Sequence, residues 1–183
     1  CVYELATGKK NYVSEKFDSN VEGFVWNKDN KSLTFIGVWH GTLNLYQANF
    51  KGEVKQITNE WADYGSIALA NNGNKLLATK ASMSHPTDIY IVTPGKNAKS
   101  TKVEQITREN DHILSQLNMG KCEQRWVKTT DGKQMLVWIM LPSNFDANKK
   151  YPTLLFCEGG PQSPVSQFWS YRWNIQIMAA NGY

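Results

Sequence analysis

The sequence predicts a mainly β fold, and three observations support this prediction. Short runs rich in β-branched and aromatic residues alternate with polar turns over residues 1–110. Within that stretch the same sequence markers return at a nearly constant interval. After residue 110 the pattern changes to a hairpin, a longer apolar run and a helix-like segment. We therefore expect a repeated β unit followed by the opening of a second domain of α/β type.

The composition is ordinary for a globular protein and excludes several classes of function. The net charge is +4, but the twenty Lys and Arg residues are scattered, so no nucleic-acid partner is expected. No apolar run reaches the roughly 18 residues of a membrane span. The three cysteines are too widely spaced for a disulfide framework or a metal site, and Cys157 is predicted to be a small buried hydrophobe.

Strands are predicted for four runs of the first half. These are SLTFIGV (32–38), TLNLYQAN (42–49), KLLATKAS (75–82) and TDIYIVT (87–93). Turn-forming residues lie between them at 28–30, 50–52 and 71–74. No segment before residue 110 has a helical period, so this half is predicted to be all β.

A sequence repeat in the same half predicts propeller blades. Pairs of an apolar residue and a tyrosine end at Tyr3, Tyr46 and Tyr90, which are 43 and 44 residues apart. The related motifs NKSLTFI and GNKLLAT also start 43 residues apart. A period of this length with several strands per unit is typical of a β-propeller with four-stranded blades. We expect residues 1–112 to form two to three blades at the C-terminal end of a propeller, and a β-sandwich is the alternative.

Residues 113–183 are predicted to open the second domain. Asp131-Gly132 lies between two strand-like runs and predicts a hairpin. The run TLLFCE (153–158) is apolar on both faces, as in a strand buried inside a sheet. A helix is expected over 168–181, ending before Gly182. On it Trp169, Trp173 and Ile177 would form an apolar stripe.

The glycine pair Gly159-Gly160 follows the predicted buried strand. Glycines at this point of an open α/β sheet let the backbone approach a ligand closely. In α/β-hydrolases a loop after an early strand supplies one N–H of the oxyanion hole. Glu158-Gly159-Gly160-Pro161 has that position, and an ordinary tight turn explains these four residues equally well.

The wider pattern resembles the prolyl oligopeptidase family of serine peptidases, in its bacterial dipeptidyl-peptidase and acylaminoacyl-peptidase branch. The residues that carry the resemblance are Thr130, Asp131, Gly132, Pro142, Tyr151, Pro152, Gly159, Gly160, Pro161, Trp169, Ala180, Gly182 and Tyr183. The resemblance covers essentially the whole chain. It implies a partial β-propeller followed by the first strands and helix of an α/β-hydrolase domain. It also implies a serine exopeptidase that hydrolyses short peptides and releases N-terminal dipeptides or acylated residues.

The resemblance further implies roles for single residues. Backbone N–H groups of Gly159 or Gly160 would belong to the oxyanion hole. An alternative interpretation of Glu158 is that its carboxylate pairs with the free amino group of a substrate. Phe168 and Trp169 would line the substrate entry, although core packing is the alternative for both. No metal or organic cofactor is expected.

The catalytic Ser, Asp and His are expected to lie outside this chain. The chain contains no G-x-S-x-G motif, which carries the nucleophile in α/β-hydrolases. Its three histidines, His40, His85 and His112, precede the hydrolase strands and are interpreted as surface or turn residues. The chain is therefore predicted to be a fragment that is inactive alone.

Two other classes of function stay open at this point. A non-enzymatic propeller that serves as an interaction scaffold explains residues 1–110 but not the Gly-Gly-Pro segment. An esterase of the α/β-hydrolase fold explains both halves. The resemblance also allows a homo-oligomer, and it favours a periplasmic location over a cytoplasmic one.

Overall fold

The computed structural model describes residues 1–71, 73–157 and 163–183, and most of its regular structure is β. The strands are β1 (Val2–Tyr3), β2 (Lys10–Asn11), β3 (Val21–Trp26), β4 (Ser32–Trp39), β5 (Thr42–Asn49), β6 (Val54–Gln56), β7 (Asp63–Leu69), β8 (Leu76–Ser82), β9 (His85–Thr93), β10 (Lys102–Gln105), β11 (Lys121–Lys128) and β12 (Gln134–Leu141). The helices are α1 (Asp111–Leu114), α2 (Ile175–Ala180) and a 3-10 turn at Ala98–Ser100. The four strands predicted in the first half are confirmed as β4, β5, β8 and β9. No helix in the described ranges is long and apolar enough to cross a membrane.

Two antiparallel four-stranded units form the larger sheet. The first runs β3–β4–β5–β6 and the second β7–β8–β9–β10, each in chain order. A single parallel pairing, Leu43 with Asp63, joins β5 to β7. Strands β4 and β8 begin 44 residues apart, and β5 and β9 begin 43 residues apart. The period seen in the sequence therefore corresponds to one such unit.

The principal core lies between the two units. Its buried residues are Ile36, Leu45, Ile57, Tyr64, Leu76, Ala78 and Val92. They come from both units, so neither unit could bury this surface alone. Complete burial of one large apolar side chain contributes about 1.5–3 kcal/mol, and this cluster therefore holds the units together.

The first unit is buried on its other face as well. Phe35 and Tyr46 are cross-strand partners there, and their rings are stacked with centroids 5.7 Å apart. Phe17, from the segment before β3, packs against both rings. This two-sided burial explains why β4 is almost continuously buried rather than alternating.

The Asp-Gly prediction is confirmed by the hairpin of β11 and β12. The two strands pair over eight residues each, from Lys121 opposite Leu141 to Lys128 opposite Gln134. Gly132 adopts a φ of 83°, in the left-handed region that glycine enters without steric cost.

The strand predicted at 153–158 is absent from the described part of that stretch, and Glu158 lies outside the described residues. Residues 151–157 have no regular structure and pair with no described strand. Leu154 and Leu155 are 55% and 84% exposed, and Cys157 is exposed rather than buried. A strand needs a lateral hydrogen-bonding partner, and apolar composition alone does not supply one.

The helix predicted over 168–181 is much shorter, because only α2 is helical there. Ser170 Oγ accepts the backbone N–H groups of Arg172 and Trp173 at 3.2 and 2.9 Å, which favours a turn over a helix. Asn174 then caps α2 through Oδ1, which accepts the N–H of Gln176 at 3.0 Å. Gly182 does follow the helix end, with a φ of 86°.

The apolar stripe predicted for that helix is also wrong. Trp173 and Ile177 are each 56% exposed, and Trp169 lies before the helix. The side of α2 that is buried carries Gln176 and Ala179. Polar contacts, rather than an apolar stripe, therefore orient this helix.

Candidate functional site

The site residues predicted from the sequence fall into two groups. Glu158, Gly159 and Gly160 lie outside the described residues. Phe168 and Trp169 are half-buried in the segment 163–174, which precedes α2. The rings of Trp169 and Tyr171 meet edge to face, with centroids 5.8 Å apart. The structure therefore places the two aromatic residues at the junction between the β units and the C-terminal part of the chain.

Asp63 ties this segment to the sheet. Its carboxylate accepts the hydroxyl of Ser166 at 2.6 Å and the backbone N–H of Gln167 at 3.1 Å. It also accepts the N–H of Leu43 at 3.2 Å, on the neighbouring strand. Burial raises the pKa of Asp63 above its usual range, although these hydrogen bonds act in the opposite direction.

Asp63 and Tyr64 belong to a strand and not to a solvated turn. Asp63 begins strand β7, and Tyr64 is fully buried. The Tyr64 hydroxyl donates to Glu60, and Lys80 forms an ion pair with Glu60 at 3.0 Å. Burial, followed by the nearby Glu60 charge, raises the pKa of Tyr64. Ile67 and Leu69 recur at the two-residue spacing of a strand, which could have identified it, although a register shift between Tyr64 and Ile67 interrupts the pattern.

The tip of the β8–β9 hairpin enters the same junction. Met83, 5% exposed, lies between the side chains of Gln167 and Gln176. Gln167 Oε1 accepts the Met83 N–H at 3.5 Å, and Gln176 Nε2 donates to Ser84 Oγ at 2.8 Å. Cys122 Sγ lies 3.7 Å from the Met83 sulfur. Two buried glutamines thus join the hairpin tip to the C-terminal part of the chain.

The β4–β5 turn makes a third contact with this part. His40 and Gly41 both have positive φ, as a two-residue hairpin turn of type I′ requires. A Cβ on Gly41 would lie 2.7 Å from Trp138 Nε1 and 3.1 Å from the Val165 carbonyl oxygen. The indole N–H groups of Trp138 and Trp169 are buried without a hydrogen-bond partner among the described residues.

A cavity of about 330 Å³ lies beside the junction. It is lined by Glu60, Trp61, Ala62, Lys80, Ala81, Ser82, His85 and Tyr90. Trp61 is 52% exposed and packs edge to face on Trp138. The Lys80 ammonium lies over the Tyr90 ring, 4.2 Å from its centroid. The wall therefore combines aromatic surface with the ion pair of Glu60 and Lys80.

The histidines lie where the sequence interpretation placed them in two of three cases. His40 is in a turn, and His112 is exposed on α1. His85 is partly buried within 4 Å of Asp88 and Asp111. Asp88 already accepts from Gln105 and Thr107, so it is hydrogen-bonded to β10 and the residues after it, and Asp111 on α1 lies 3.9 Å from His85.

No protein-family model matches the chain. Comparison with single proteins does find relatives, and two of them have the same name. The chain is 44% identical over all 183 residues to dipeptidyl-peptidase 5 of Porphyromonas gingivalis, covering 26% of that relative. It is 46% identical over 153 residues, 83% of the chain, to dipeptidyl-peptidase 5 of Porphyromonas endodontalis, covering 21% of it. The chain thus spans about a quarter or less of the length of these relatives.

A solved structure has a similar fold. The uncomplexed acylaminoacyl peptidase of Pyrococcus horikoshii superposes with a TM-score of 0.73 at 22% identity. The match covers 93% of this chain and 25% of that one. The likeness therefore extends across both the β units and the C-terminal part.

Proposed function

Because the chain belongs to the prolyl oligopeptidase family of serine peptidases, we propose that the whole protein is a serine exopeptidase that removes dipeptides from short peptides. The observation that carries this proposal is the 44% identity to a dipeptidyl-peptidase 5 along the full chain. The likeness to the acylaminoacyl peptidase supports the fold that this proposal requires.

In this proposal the two four-stranded units are blades of a propeller, and β1 with β2 is the edge of a third. Residues 113–183 open the α/β-hydrolase domain, beginning with the β11–β12 hairpin. The junction around Asp63 and Met83 is then the interface between the propeller and the hydrolase domain. The propeller would restrict access to small substrates.

The reaction would pass through an acyl-enzyme formed by a serine outside this chain, assisted by His and Asp. Backbone N–H groups of Gly159 or Gly160 would stabilise the oxyanion of each tetrahedral intermediate, and one such donor is worth about 3–4 kcal/mol. Glu158 would pair with the free amino group of the substrate. Phe168 and Trp169 would line the entry for its side chains.

The test uses the whole protein and a fluorophosphonate probe. The intact mass of the protein should increase by the mass of a single phosphonyl group. Changing the serine of the G-x-S-x-G motif, which is expected outside this chain, to alanine should abolish the increase. The absence of labelling on folded protein would overturn the proposal in favour of a non-enzymatic scaffold.

A second measurement defines the substrate class. A hexapeptide with a free N-terminus should lose dipeptides, whereas its N-acetylated form should stay intact, as mass spectrometry would show. Release of the acetylated first residue would instead identify an acylaminoacyl peptidase. If the protein hydrolyses simple esters but cleaves neither the free nor the N-acetylated hexapeptide, it is an esterase.

A further inference from the structure

We propose that Asp63 is a positioning residue for substrate binding, which fixes the backbone at Ser166 and Gln167 and thereby holds Phe168 and Trp169 in place. The inference rests on the proposed function, because that function assigns the substrate entry to the two aromatic residues. It adds a residue of the β units, about 100 positions earlier in the chain, to the determinants of activity.

The Asp63 carboxylate holds two neighbouring residues, Ser166 and Gln167, by hydrogen bonds, and we call this arrangement the clamp. Its two oxygens divide the donors: Oδ2 accepts the Ser166 hydroxyl, and Oδ1 accepts the N–H of Gln167 and of Leu43. The Gln167 bond is to the backbone, so it restrains the main chain immediately before Phe168.

The backbone at Asp63 is held in place by the sheet and the core. Asp63 lies where the two four-stranded units meet, in the parallel pairing with Leu43. The next residue, Tyr64, is fully buried in the core between the units. The carboxylate therefore has a fixed position, and the segment 163–169 must adjust to it.

Other described contacts of this segment are less directional. The side chain of Gln167 is buried, but its contact to the Met83 N–H is 3.5 Å long and its contact to Cys122 is to sulfur, a weak acceptor. The buried indole N–H of Trp169 has no partner within the described ranges. The bonds to Asp63 are accordingly the short hydrogen bonds that define where this backbone lies.

Two substitutions of Asp63 distinguish a positioning role from a role that needs its negative charge. In Asp63→Asn, Oδ1 can still accept both backbone N–H groups, and Nδ2 can donate to Ser166 Oγ. In Asp63→Ala the Ser166 hydroxyl and the Gln167 N–H lose this acceptor, whereas the Leu43 N–H keeps the Ala62 carbonyl oxygen at 3.2 Å. A clamp therefore tolerates asparagine and fails with alanine, whereas a role for the negative charge would fail with both.

The experiment measures kcat and KM of the whole protein on a chromogenic dipeptide substrate, after the wild type has been shown to react with the fluorophosphonate. Asp63→Ala should lower kcat/KM at least about tenfold, since small misplacements of site residues cost factors of this order or more. Asp63→Asn should stay within about threefold of the wild type. Ser166→Ala, which removes one bond of the clamp, should fall between them.

The matched control is Asp29→Ala. Asp29 also accepts a serine hydroxyl and backbone N–H groups, from Ser32 and Lys31, but it lies in the β3–β4 turn. Its loss should leave kcat/KM unchanged below the unfolding temperature.

A double-mutant cycle tests whether Asp63 affects activity through Phe168. If Asp63 acts through Phe168, Asp63→Ala should cost little more once Phe168→Ala is present. Additive losses, an effect of Asp63→Asn as large as that of alanine, or a full-rate Phe168→Ala would overturn the inference. If Asp63→Ala does not fold, Ser166→Ala with Phe168→Ala provides the same cycle. An unlabelled, inactive wild type would instead overturn the proposed function on which the inference rests.

Discussion

The side-chain carbonyl of Gln176 accepts the backbone N–H of Gly120 at 2.6 Å. The amide group of the same side chain donates to Ser84 Oγ at 2.8 Å and lies 3.4 Å from the Met83 carbonyl oxygen. One buried glutamine thus connects α2, the start of β11 and the tip of the β8–β9 hairpin. The C-terminal helix is oriented by this polar side chain.

Replacing Gln176 with leucine should therefore destabilise the protein. The substitution keeps the apolar volume but leaves the Gly120 N–H and the Ser84 hydroxyl without their partner. Each buried polar group left unsatisfied costs about 1–3 kcal/mol, so we expect a loss of about 2–3 kcal/mol in the free energy of unfolding. Urea denaturation would measure it.

Gln116→Leu is the control for this prediction. Gln116 also makes a side-chain hydrogen bond, to the His112 carbonyl at 2.7 Å, but it is exposed. Its replacement should change the stability by no more than about 0.5 kcal/mol. Equal effects of the two substitutions would show that Gln176 has no special structural role.

The strands of the β units could be predicted because their signals are local. Alternating apolar residues and adjacent turn residues mark β4, β5, β8 and β9, and Asp131-Gly132 marks the β11–β12 hairpin. The period of about 43 residues reflects the repeated four-stranded unit. In each case the residues that determine the element lie within or next to it.

The junction could not be predicted because its contacts are distant in sequence. Asp63 and Ser166 are 103 residues apart, and polar side chains such as Gln176 carry no pattern that distinguishes burial from exposure. The long helix and its apolar stripe were expected from spacing alone, whereas Ser170 and Asn174 form local turn and cap hydrogen bonds. Glu158, Gly159 and Gly160 remain predictions.

Gly41→Ala should destabilise the junction more than backbone strain alone explains. A non-glycine residue at a φ of 67° costs about 1–3 kcal/mol, and the new Cβ would also meet Trp138 and the Val165 carbonyl oxygen. Gly52→Ala is a matched control, because Gly52 has a φ of 74° and, apart from its chain neighbours, no atom of the described residues lies within 4 Å of its Cβ position. Thermal unfolding should show a larger decrease in Tm for Gly41→Ala, and equal decreases would contradict the contact.

Tyr64→Phe should lower the free energy of unfolding by about 1–2 kcal/mol. The substitution keeps the fully buried ring and removes only the hydroxyl that donates to Glu60, a charged acceptor. Tyr12→Phe, at a tyrosine that is 59% exposed, should be nearly neutral. A stability of Tyr64→Phe equal to that of the wild type in urea would show that the hydroxyl contributes nothing there.

Asp63 should make the stability of the protein depend on pH in a direction that is unusual for an aspartate. Burial raises its folded pKa above the unfolded value of 3.8, so folding favours the protonated form. Its contribution to stability is fully present below pH 3.8 and is lost as the pH rises through the folded pKa. Asp63→Asn removes this titration. The stability of Asp63→Asn relative to the wild type should therefore increase from pH 4 upward.

Asp29 gives the opposite sign in the same measurement. Hydrogen bonds, first that from the Lys31 backbone N–H, lower the pKa of Asp29, so its contribution is present above pH 3.8 and is lost as the pH falls through its folded pKa. Asp29→Asn should therefore be less stable than the wild type near pH 7, and this deficit should diminish in acid. Urea midpoints of the two variants and the wild type from about pH 2 to pH 7 would test both signs. Parallel pH profiles for Asp63→Asn and the wild type would contradict a raised pKa of the Asp63 carboxyl and, with it, the burial of that group at the junction.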